Sequence, residues 1–323
     1  MHLICAYVYL YLYEKPFANS FWLYIVNELI DIDMKIIKII GGLGNQMFQY
    51  ALAIALQQQY KDEESRLDLN CFRGYNKHQG YLLDEIFGRR FRAASLQEVA
   101  RLAWPYPHYQ LWRVGSRVLP RRQTMVCEPA DGSFSPDVLT LEGNRYYDGY
   151  WQDERYFKAY RKEIIEAFKF SPFVGDGNRH VENMLRNERF ASLHVRRGDY
   201  LNDPLYQNTC GIDYYQRAIS QMNAMANPSC YFIFSDDIAW CKTHIEPLCE
   251  GHRPYYIDWN KGKEAYRDMQ LMALCKYHII ANSSFSWWGA WLNDAEDGIT
   301  IAPQQWYSHG NKPSPASESW IKV

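Results

Sequence analysis

Short apolar runs alternate with amphipathic stretches along most of the chain, and this alternation predicts an α/β fold. The first run covers 35–40, is rich in isoleucine, and ends at Gly41-Gly42, which predicts a strand followed by a tight turn. From Gln46 to Tyr60 the apolar positions recur at helical spacing among alanines and glutamines, which are strong helix formers. A strand, a turn and a helix are therefore expected here.

The same pattern restarts in the second half of the chain. Further strands are predicted at 190–195, 231–234, 277–281 and 300–302, and further helices at 160–168, 214–225 and 263–275. Strands separated by helices predict a parallel sheet covered by helices. Ser171-Pro172 and Gly175-Asp176-Gly177 are typical of a linker. We therefore predict two Rossmann-like α/β domains, 34–172 and 173–323, facing a cleft that is the default ligand site.

Both ends of the chain differ from this pattern. Residues 3–13 are apolar and aromatic, but the run is too short to span a bilayer, which takes about 20 residues. It also lacks the basic flank and cleavage site of a signal peptide. We expect Met34 to be the natural start and 1–33 to be a non-native extension; the alternative is a membrane-associating amphipathic leader. The segment 311–319 is predicted to be mobile.

Composition and charge exclude some classes of function. A formal net charge of -2 gives no broad positive field, which argues against a protein that grips nucleic acid through its phosphates. The eight cysteines are dispersed, without a C-x-x-C pair or zinc-ligand spacing, which indicates a reduced compartment. Because there is no broad positive field, any phosphate group must be bound by a few side chains at one site.

The turn after the first strand is a candidate binding element. Gly42, Gly44, Asn45 and Gln46 lie where the helix begins, and glycines there let the backbone approach a ligand while the helix N-terminus favours an anion. The segment matches neither a Walker A loop nor a dinucleotide fingerprint. A purely structural turn is the alternative, but the two amide side chains are suited to sugar hydroxyls.

His194, Arg196, Arg197 and Asp199 lie at the carboxyl end of the predicted strand 190–195. Ligands of open α/β sheets bind at that end. The planar fork of arginine fits a pyrophosphate, and its charge neutralises a departing nucleoside diphosphate. The alternative is a surface ion pair between an arginine and Asp199, which does not require a histidine on the same strand face. We therefore predict an anion site here.

Two more segments follow strands. Asp236 or Asp237 could accept hydrogen bonds from a guanine edge, although an N-cap for the next helix is the plainer interpretation. Ser283 and Ser284 begin a helix with hydroxyls and backbone N–H groups, which suits a phosphate. The D-x-D pair that metal-dependent transferases carry after a strand occurs only at 31–33, so positive side chains, without a metal ion, are expected to carry the leaving-group charge.

Five segments occur in order: GGLGNQMFQYA from Gly41, GYWQDERYF from Gly149, HVRRGDY from His194, FSDD from Phe234 and NSSFSWWGAWL from Asn282. Together they resemble the α-1,2-fucosyltransferases of glycosyltransferase family 11 between Met34 and Tyr307. The resemblance implies a GT-B fold, with 34–172 on the acceptor side and 173–323 binding the donor. It also implies GDP-β-L-fucose as a co-substrate, no cofactor or metal, and inverting transfer to a galactose-containing glycan.

The resemblance also implies roles for single residues. Arg197 and Arg196 would hold the pyrophosphate, His194 with Asp236 or Asp237 would contact guanine, and Ser283 and Ser284 would complete the phosphate site. Inverting transfer calls for a carboxylate near the acceptor hydroxyl. Asp199 is the first candidate for this base and Glu154 or Asp153 the second, while Asn45 would orient the acceptor, with or without a base.

The linkage, the acceptor and the activity each have an alternative. The region 61–150 offers no readable acceptor code, so another linkage or acceptor is the main alternative, and an inactive sugar-binding homologue is the alternative from another class. Animal relatives carry an N-terminal membrane anchor, and this sequence shows no adequate one. We therefore expect a cytoplasmic bacterial enzyme of surface polysaccharide synthesis with at most peripheral membrane contact.

Overall fold

The computed structural model describes residues 33–75, 77–185, 189–249, 251–252, 254–310 and 312–323. The prediction that 1–33 is a non-native extension therefore falls, except for Asp33, outside the described residues. No helix within these ranges is long and apolar enough to cross a membrane.

The first half of the chain forms a parallel sheet around a fully buried first strand. Within the described residues this sheet has five strands: β1 (Met34–Lys38), β2 (Glu64–Asp68), β3 (Arg92–Ala93), β4 (Met125–Cys127) and β5 (Arg145–Asp148). Their order is β3-β2-β1-β5-β4, and all neighbours are parallel. β1 is apolar except for two lysines because it lies in the centre of the sheet, covered on both faces.

Six helices, counted within the described ranges, accompany this sheet: α1 (Leu43–Gln59), α2 (Leu83–Phe87), α3 (Leu96–Leu102), α4 (Tyr109–Val118), α5 (Asp137–Thr140) and α6 (Arg161–Ala167). Short 3-10 turns lie at Asn70–Phe72, Glu154–Tyr156 and Lys158–Tyr160. α1 is buried along most of its length, which explains why its sequence is rich in alanine and leucine. A capping box at Ser95 and Glu98 fixes the start of α3.

The second half forms a second parallel sheet. Its strands in the described residues are β6 (Phe190–Val195), β7 (Cys230–Ser235), β8 (Tyr255–Ile257), β9 (Tyr277–Ile279), β10 (Ile299–Ala302) and β11 (Ile321–Lys322). The order is β11-β10-β9-β6-β7-β8, again with parallel neighbours. Two separate parallel sheets confirm the predicted α/β class. The predicted boundary at 172 lies between them and stays a prediction.

The helices of the second half are α7 (Asp176–Leu185), α8 (Ile212–Met225), α9 (Ile238–His244), α10 (Tyr266–Leu274) and α11 (Ser284–Trp291), with 3-10 turns at Asp199–Asn202, Glu246–Cys249 and Gly262–Ala265. The predicted helix 263–275 is therefore a 3-10 turn followed by the shorter α10. In α8, Tyr214, Tyr215 and Ile219 face the sheet, as the predicted helical spacing requires.

An aromatic cluster joins the two halves. Phe48 of α1 lies 4.4 Å from Trp287 and 5.0 Å from Trp288 of α11, measured between ring centroids, and Trp288 also stacks on Phe157. Both tryptophans are fully buried, so they pack in the core and present no ring face on which a sugar could stack. The N-terminal ends of α1 and α11 are thereby brought together.

The segment before the C-terminus differs from the prediction. The segment 311–319 is predicted to be mobile, yet in its described part, 312–319, Ala316 and Ser317 are buried, and the Ser317 hydroxyl donates a hydrogen bond of 2.6 Å to Glu154. The main chain of Pro315 accepts a hydrogen bond from the Trp287 indole. The low apolar content misled the prediction, because the anchoring contacts come from residues distant in sequence.

Candidate active site

Two adjacent arginines lie where β6 ends, between the ends of β7 and β9. Arg196 forms ion pairs with Asp199 (2.7 Å) and Asp236 (3.0 Å). Arg197 forms one with Asp237 (3.1 Å), and its guanidinium lies 4.1 Å from the centre of the Trp240 ring. Three carboxylates and one aromatic face therefore hold two positive side chains, both partly exposed, at the carboxyl edge of the second sheet.

Asp236 and Asp237 support these arginines in different ways. Asp236 also accepts a hydrogen bond of 2.9 Å from the main-chain N–H of Arg197, so it fixes the loop as well as the side chain. Asp237 caps α9 by accepting from the N–H of Trp240, as the plainer interpretation of the sequence held. The backbone contact and Arg197 keep the pKa of Asp237 below its usual value. A guanine contact by either carboxylate stays a prediction.

His194 precedes the arginines and is buried. Burial, assisted by the charge of Arg196, lowers the pKa of His194 to about 3, so the imidazole is neutral at ordinary pH. Its Nδ1 atom has no hydrogen-bond partner in the described part of the chain. An unpaired buried nitrogen costs about 1–3 kcal/mol, so a hydrogen bond from or to a ligand would be favourable at this position.

Ser283 and Ser284 lie at the start of α11, directly opposite the start of α1. Ser283 is the N-cap and accepts from the N–H of Phe285. A Cβ atom on Gly44 would lie 2.6 Å from the carbonyl carbon of Ser284 and 2.7 Å from its hydroxyl. The Gly44 carbonyl also accepts a hydrogen bond from Trp288. Two helix N-termini, each with a partial positive charge, therefore meet at one point.

Asn45 lies in the first turn of α1, next to this contact. Its Oδ1 atom accepts a hydrogen bond of 2.7 Å from the side chain of Gln152, and the Gln152 carbonyl in turn lies 3.4 Å from the hydroxyl of Tyr307. Gln152 lies within GYWQDERYF but is not among the predicted site residues. No pattern in the sequence marks it, because its role depends on a contact across 107 residues.

Gln46 and Gly42 have structural places in the same turn. The Gln46 amide is fully buried, donates to the carbonyls of Gly41 and Gly80, and accepts from the N–H of Leu82. This corrects the expectation that Gln46 presents its amide to a sugar. Gly42 is the N-cap of α1, and the ring of His78 lies against it.

The two other candidate carboxylates lie away from the arginines. Asp153 caps the turn Glu154–Tyr156 and pairs with Arg155 at 2.6 Å. Glu154 accepts from the indole of Trp291, at the opposite end of α11 from Ser283, and it lines a separate cavity. The structure therefore brings Asp199, but not Asp153 or Glu154, to the arginine pair.

His78 is a residue that the sequence interpretation missed. It lies in a left-handed backbone conformation with a φ of 59°. The residue is exposed overall, and partial loss of solvent around its ring lowers the pKa of His78; the charge of Asp199 acts to raise this pKa and the charge of Arg196 to lower it. A lone histidine in an irregular segment carries no signal in the sequence, so only the fold places it between the two halves.

A second feature of the first half is a cavity of about 320 Å³ at the carboxyl ends of β1, β4 and β5. Its lining is mainly aromatic and charged: Trp104, Tyr106, Trp112, Tyr150, Glu128 and Asp148. Asp148 is paired with Lys38, whose ammonium group lies 4.1 Å from the centre of the Trp112 ring. The Tyr106 hydroxyl and the Trp112 indole have no hydrogen-bond partner in the described residues. Aromatic faces with nearby polar groups suit a sugar ring.

No group of three or more histidine, cysteine, aspartate or glutamate side chains within the described ranges is arranged to hold a metal ion. Asp31 of the single D-x-D pair lies outside those ranges. Metal independence rests on the sequence argument and stays a prediction.

Comparison with known proteins adds to this geometry. Residues 137–322 match the family model described as glycosyl transferase family 11. An alpha-1,2-colitosyltransferase of Escherichia coli is 31% identical over 293 residues, which cover 88% of this chain and 97% of the relative. The chain belongs to glycosyltransferase family 11. It is therefore a glycosyltransferase by family, and its two α/β halves agree with the GT-B type fold that the motifs implied.

Three further similarities were found. The O-antigen biosynthesis glycosyltransferase WbnK of Escherichia coli is 30% identical over 305 residues, covering 88% of this chain and 98% of the relative. The human galactoside alpha-(1,2)-fucosyltransferase 1 is 26% identical over 266 residues, covering 78% of this chain and 63% of the relative. Among solved structures, the fucosyltransferase NodZ from Bradyrhizobium has a TM-score of 0.48 and 16% identity, covering 80% of this chain and 92% of that one.

Proposed function

We propose that this family 11 enzyme transfers L-fucose from GDP-β-L-fucose to the 2-hydroxyl of a galactoside, with inversion to an α-1,2 linkage. The galactoside oxygen forms the new bond to the anomeric carbon of fucose, the bond from that carbon to the phosphate oxygen breaks, and the hydroxyl proton is released. This proposal rests on one arrangement of the structure. Arg196 and Arg197 lie at the end of β6, and the first turns of α1 and α11 are in contact.

The donor half supplies charge for the leaving group. In the transition state negative charge moves onto the phosphate oxygen of GDP, and groups that are already oriented stabilise it best. Arg197 and Arg196 are held by carboxylates, so they need little reorganisation, and the phosphate would take over part of those ion pairs. The hydroxyls of Ser283 and Ser284 and the N–H groups beside them would contact the other phosphate oxygens.

The guanine base would contact the edge of the second sheet. The unpaired Nδ1 atom of His194 supplies one hydrogen-bonding position there, and the carboxylates of Asp236 and Asp237 supply acceptors. Each carboxylate already has an arginine or backbone partner, so guanine would have to share the carboxylate with that partner. His194 therefore has the larger unmet hydrogen-bonding capacity of the three.

The acceptor would lie on the side of the first half. Asn45 and Gln152 offer amide groups to a sugar hydroxyl, and the aromatic cavity beneath α4 offers surface for a further ring of the glycan. Of the three candidate bases Asp199, Asp153 and Glu154, only Asp199 pairs with an arginine of this site, and we assign it as the base that removes the hydroxyl proton.

Transfer of colitose is a second candidate because a relative with that activity in its name is 31% identical over most of the chain. The residues that hold a pyrophosphate would serve either sugar, because they contact the nucleotide part of the donor. An activity assay with each nucleotide sugar is therefore needed to distinguish the two donors.

The deciding experiment offers purified full-length protein either GDP-fucose or the corresponding colitosyl nucleotide, each with a panel of galactosides. The new linkage is then located by NMR. Formation of an α-1,2-fucoside with release of GDP is the expected result. Exclusive use of the colitosyl donor, or another linkage, would replace the proposal, and sugar binding without GDP release would indicate an inactive homologue.

A further inference from the structure

α4 is attached to the first half by one face only. Gly115 packs so closely on Tyr106 that a Cβ atom would lie 2.3 Å from the ring, and Trp112 and Ser116 line the cavity beneath the helix. None of the ten residues of α4 is fully buried. The helix therefore lies at the surface, with one narrow face toward the protein.

The opposite face is apolar and exposed. Leu111, Val114 and Val118 have exposed fractions of 56%, 61% and 71%. Positions i, i+3 and i+7 fall on one side of a helix, so these side chains form a continuous stripe. Contiguous exposed apolar surface of this kind marks an interaction site, whereas single exposed residues do not.

The charged residues on α4 and directly after it are all positive. Arg113 and Arg117 are exposed and one helical turn apart, and Arg121 follows the end of the helix. Between Glu98 and Glu128 the sequence contains no aspartate or glutamate, although the whole chain has a net charge of -2. The positive charge is therefore local to this stripe.

We propose that α4 lies flat on an anionic lipid surface, with its leucine and valine side chains among the acyl chains and its arginines on the phosphates. An apolar stripe flanked by basic residues on a short amphipathic helix is suited to this contact. The charge complementarity favours lipid over a second copy of this chain, whose own face would repel it. The cavity lined by Trp112 would then open close to the lipid, where a lipid-borne glycan would be accessible.

The test uses the full chain and vesicles of phosphatidylcholine, alone or mixed with an equal amount of phosphatidylglycerol. Co-sedimentation with the mixed vesicles that weakens as salt is added is the expected result, because exposed charge contacts are screened. Equal binding to both vesicles, or binding to neither, would overturn the proposal.

Two variants locate the contact. Leu111→Ser with Val114→Ser and Val118→Ser removes the stripe, and Arg113→Gln with Arg117→Gln removes two charges. Each should weaken binding to mixed vesicles by about tenfold or more. The matched control carries Val174→Ser, Met225→Ser and Leu274→Ser, which are exposed apolar residues scattered elsewhere, and it should bind normally.

Three further measurements keep the result interpretable. Melting curves should show that all variants fold, and transfer to a water-soluble galactoside should be unchanged, which separates this proposal from the proposed function. Sedimentation velocity should show one oligomeric state throughout. If the stripe variant changes oligomeric state instead of lipid binding, the face is an interface between copies; if lipid binding persists in both variants, another segment carries it. Either result would overturn the proposal.

Discussion

Gly44 and Ser284 are 240 residues apart in sequence and lie in contact. The N-terminal turns of α1 and α11 pack so closely there that a residue without a Cβ atom is required at position 44. A methyl group at position 44 would meet main-chain atoms of Ser284, which have no rotamer with which to move aside. The distance between the two helix ends is therefore set by a glycine.

Gly44→Ala should lower both stability and transfer rate. Overpacking at a rigid contact costs about 1–3 kcal/mol in the free energy of unfolding, and displaced helix ends would hold the donor phosphates poorly. Denaturant unfolding and the KM for the donor check this. Gly211→Ala is the control for the donor KM, which it should leave unchanged because Gly211 has no neighbour within 4 Å and an ordinary φ of -77°. A fully active Gly44→Ala variant would contradict the role of this contact.

Arg197→Ala should reduce kcat/KM by a factor on the order of 100, because it removes one preorganised cation from the leaving group. Arg197→Lys should recover part of the loss, since a lysine carries the charge without the planar fork. Arg179→Ala, at an exposed arginine that pairs with Asp176, should leave the rate unchanged. Near-normal turnover by Arg197→Ala would remove the proposed mechanism.

Asp199→Asn and Glu154→Gln distinguish the candidate bases. We expect Asp199→Asn to lower kcat by about 100-fold or more, the usual scale for a general base. Glu154→Gln should leave kcat intact and lower the free energy of unfolding by about 1 kcal/mol, because it weakens hydrogen bonds from Ser317 and Trp291. The reverse pattern would reassign the base to Glu154.

Asp268 should make stability depend on pH. Burial raises the pKa of Asp268 from its ordinary 3.8 to about 7, against the hydrogen bond donated by Asn260. The folded state then holds this proton more tightly than the unfolded state, so the group's contribution to stability falls as the pH rises from about 4 to about 7.

Asp268→Asn should therefore be more stable than the parent protein at pH 8, by about 1.4 kcal/mol for each pKa unit of the shift, and close to it at pH 4. Unfolding in urea at both pH values measures this difference. Asp213→Asn, at an exposed carboxylate, is the control and should change little at either pH. An equal effect of Asp268→Asn at both pH values would show that the carboxyl is not buried as described.

Transfer should survive EDTA. The reason lies in the sequence, where the D-x-D pair typical of metal-dependent transferases occurs only at 31–33, and the arginines supply the positive charge instead. Rates before and after chelation, and after Mn²⁺ or Mg²⁺ is returned, test this. Loss of activity that only Mn²⁺ restores would contradict it.

The local pattern of the sequence was enough for much of the fold. The strands at 190–195 and 231–234 and the helix at 214–225 lie within about two residues of their predicted bounds, because apolar periodicity and helix propensity act over short distances. Arg196 and Arg197 at the end of β6 follow from the same logic, since ligand sites in parallel sheets lie where the strands end.

The tertiary structure decided which of the candidate side chains meet. Gln46 and Gln152 are equally polar in sequence, but the fold buries the first among backbone groups and places the second on Asn45. Glu154 and Asp199 are both carboxylates beside aromatic motifs, and only Asp199 lies with the arginines. Contacts across a hundred or more residues depend on packing between the halves, which no local pattern records.

The sequence by itself therefore determined the class of the fold, the family and the arginine pair, because these depend on the order of residues along short segments. The meeting of Gly44 with Ser284, the position of His78 and the exposed stripe of α4 were decided by the tertiary structure. The first depends on the packing of α1 against α11, which brings two distant segments within contact distance, and the stripe stays exposed because only the face of α4 with Trp112 and Gly115 packs on the protein.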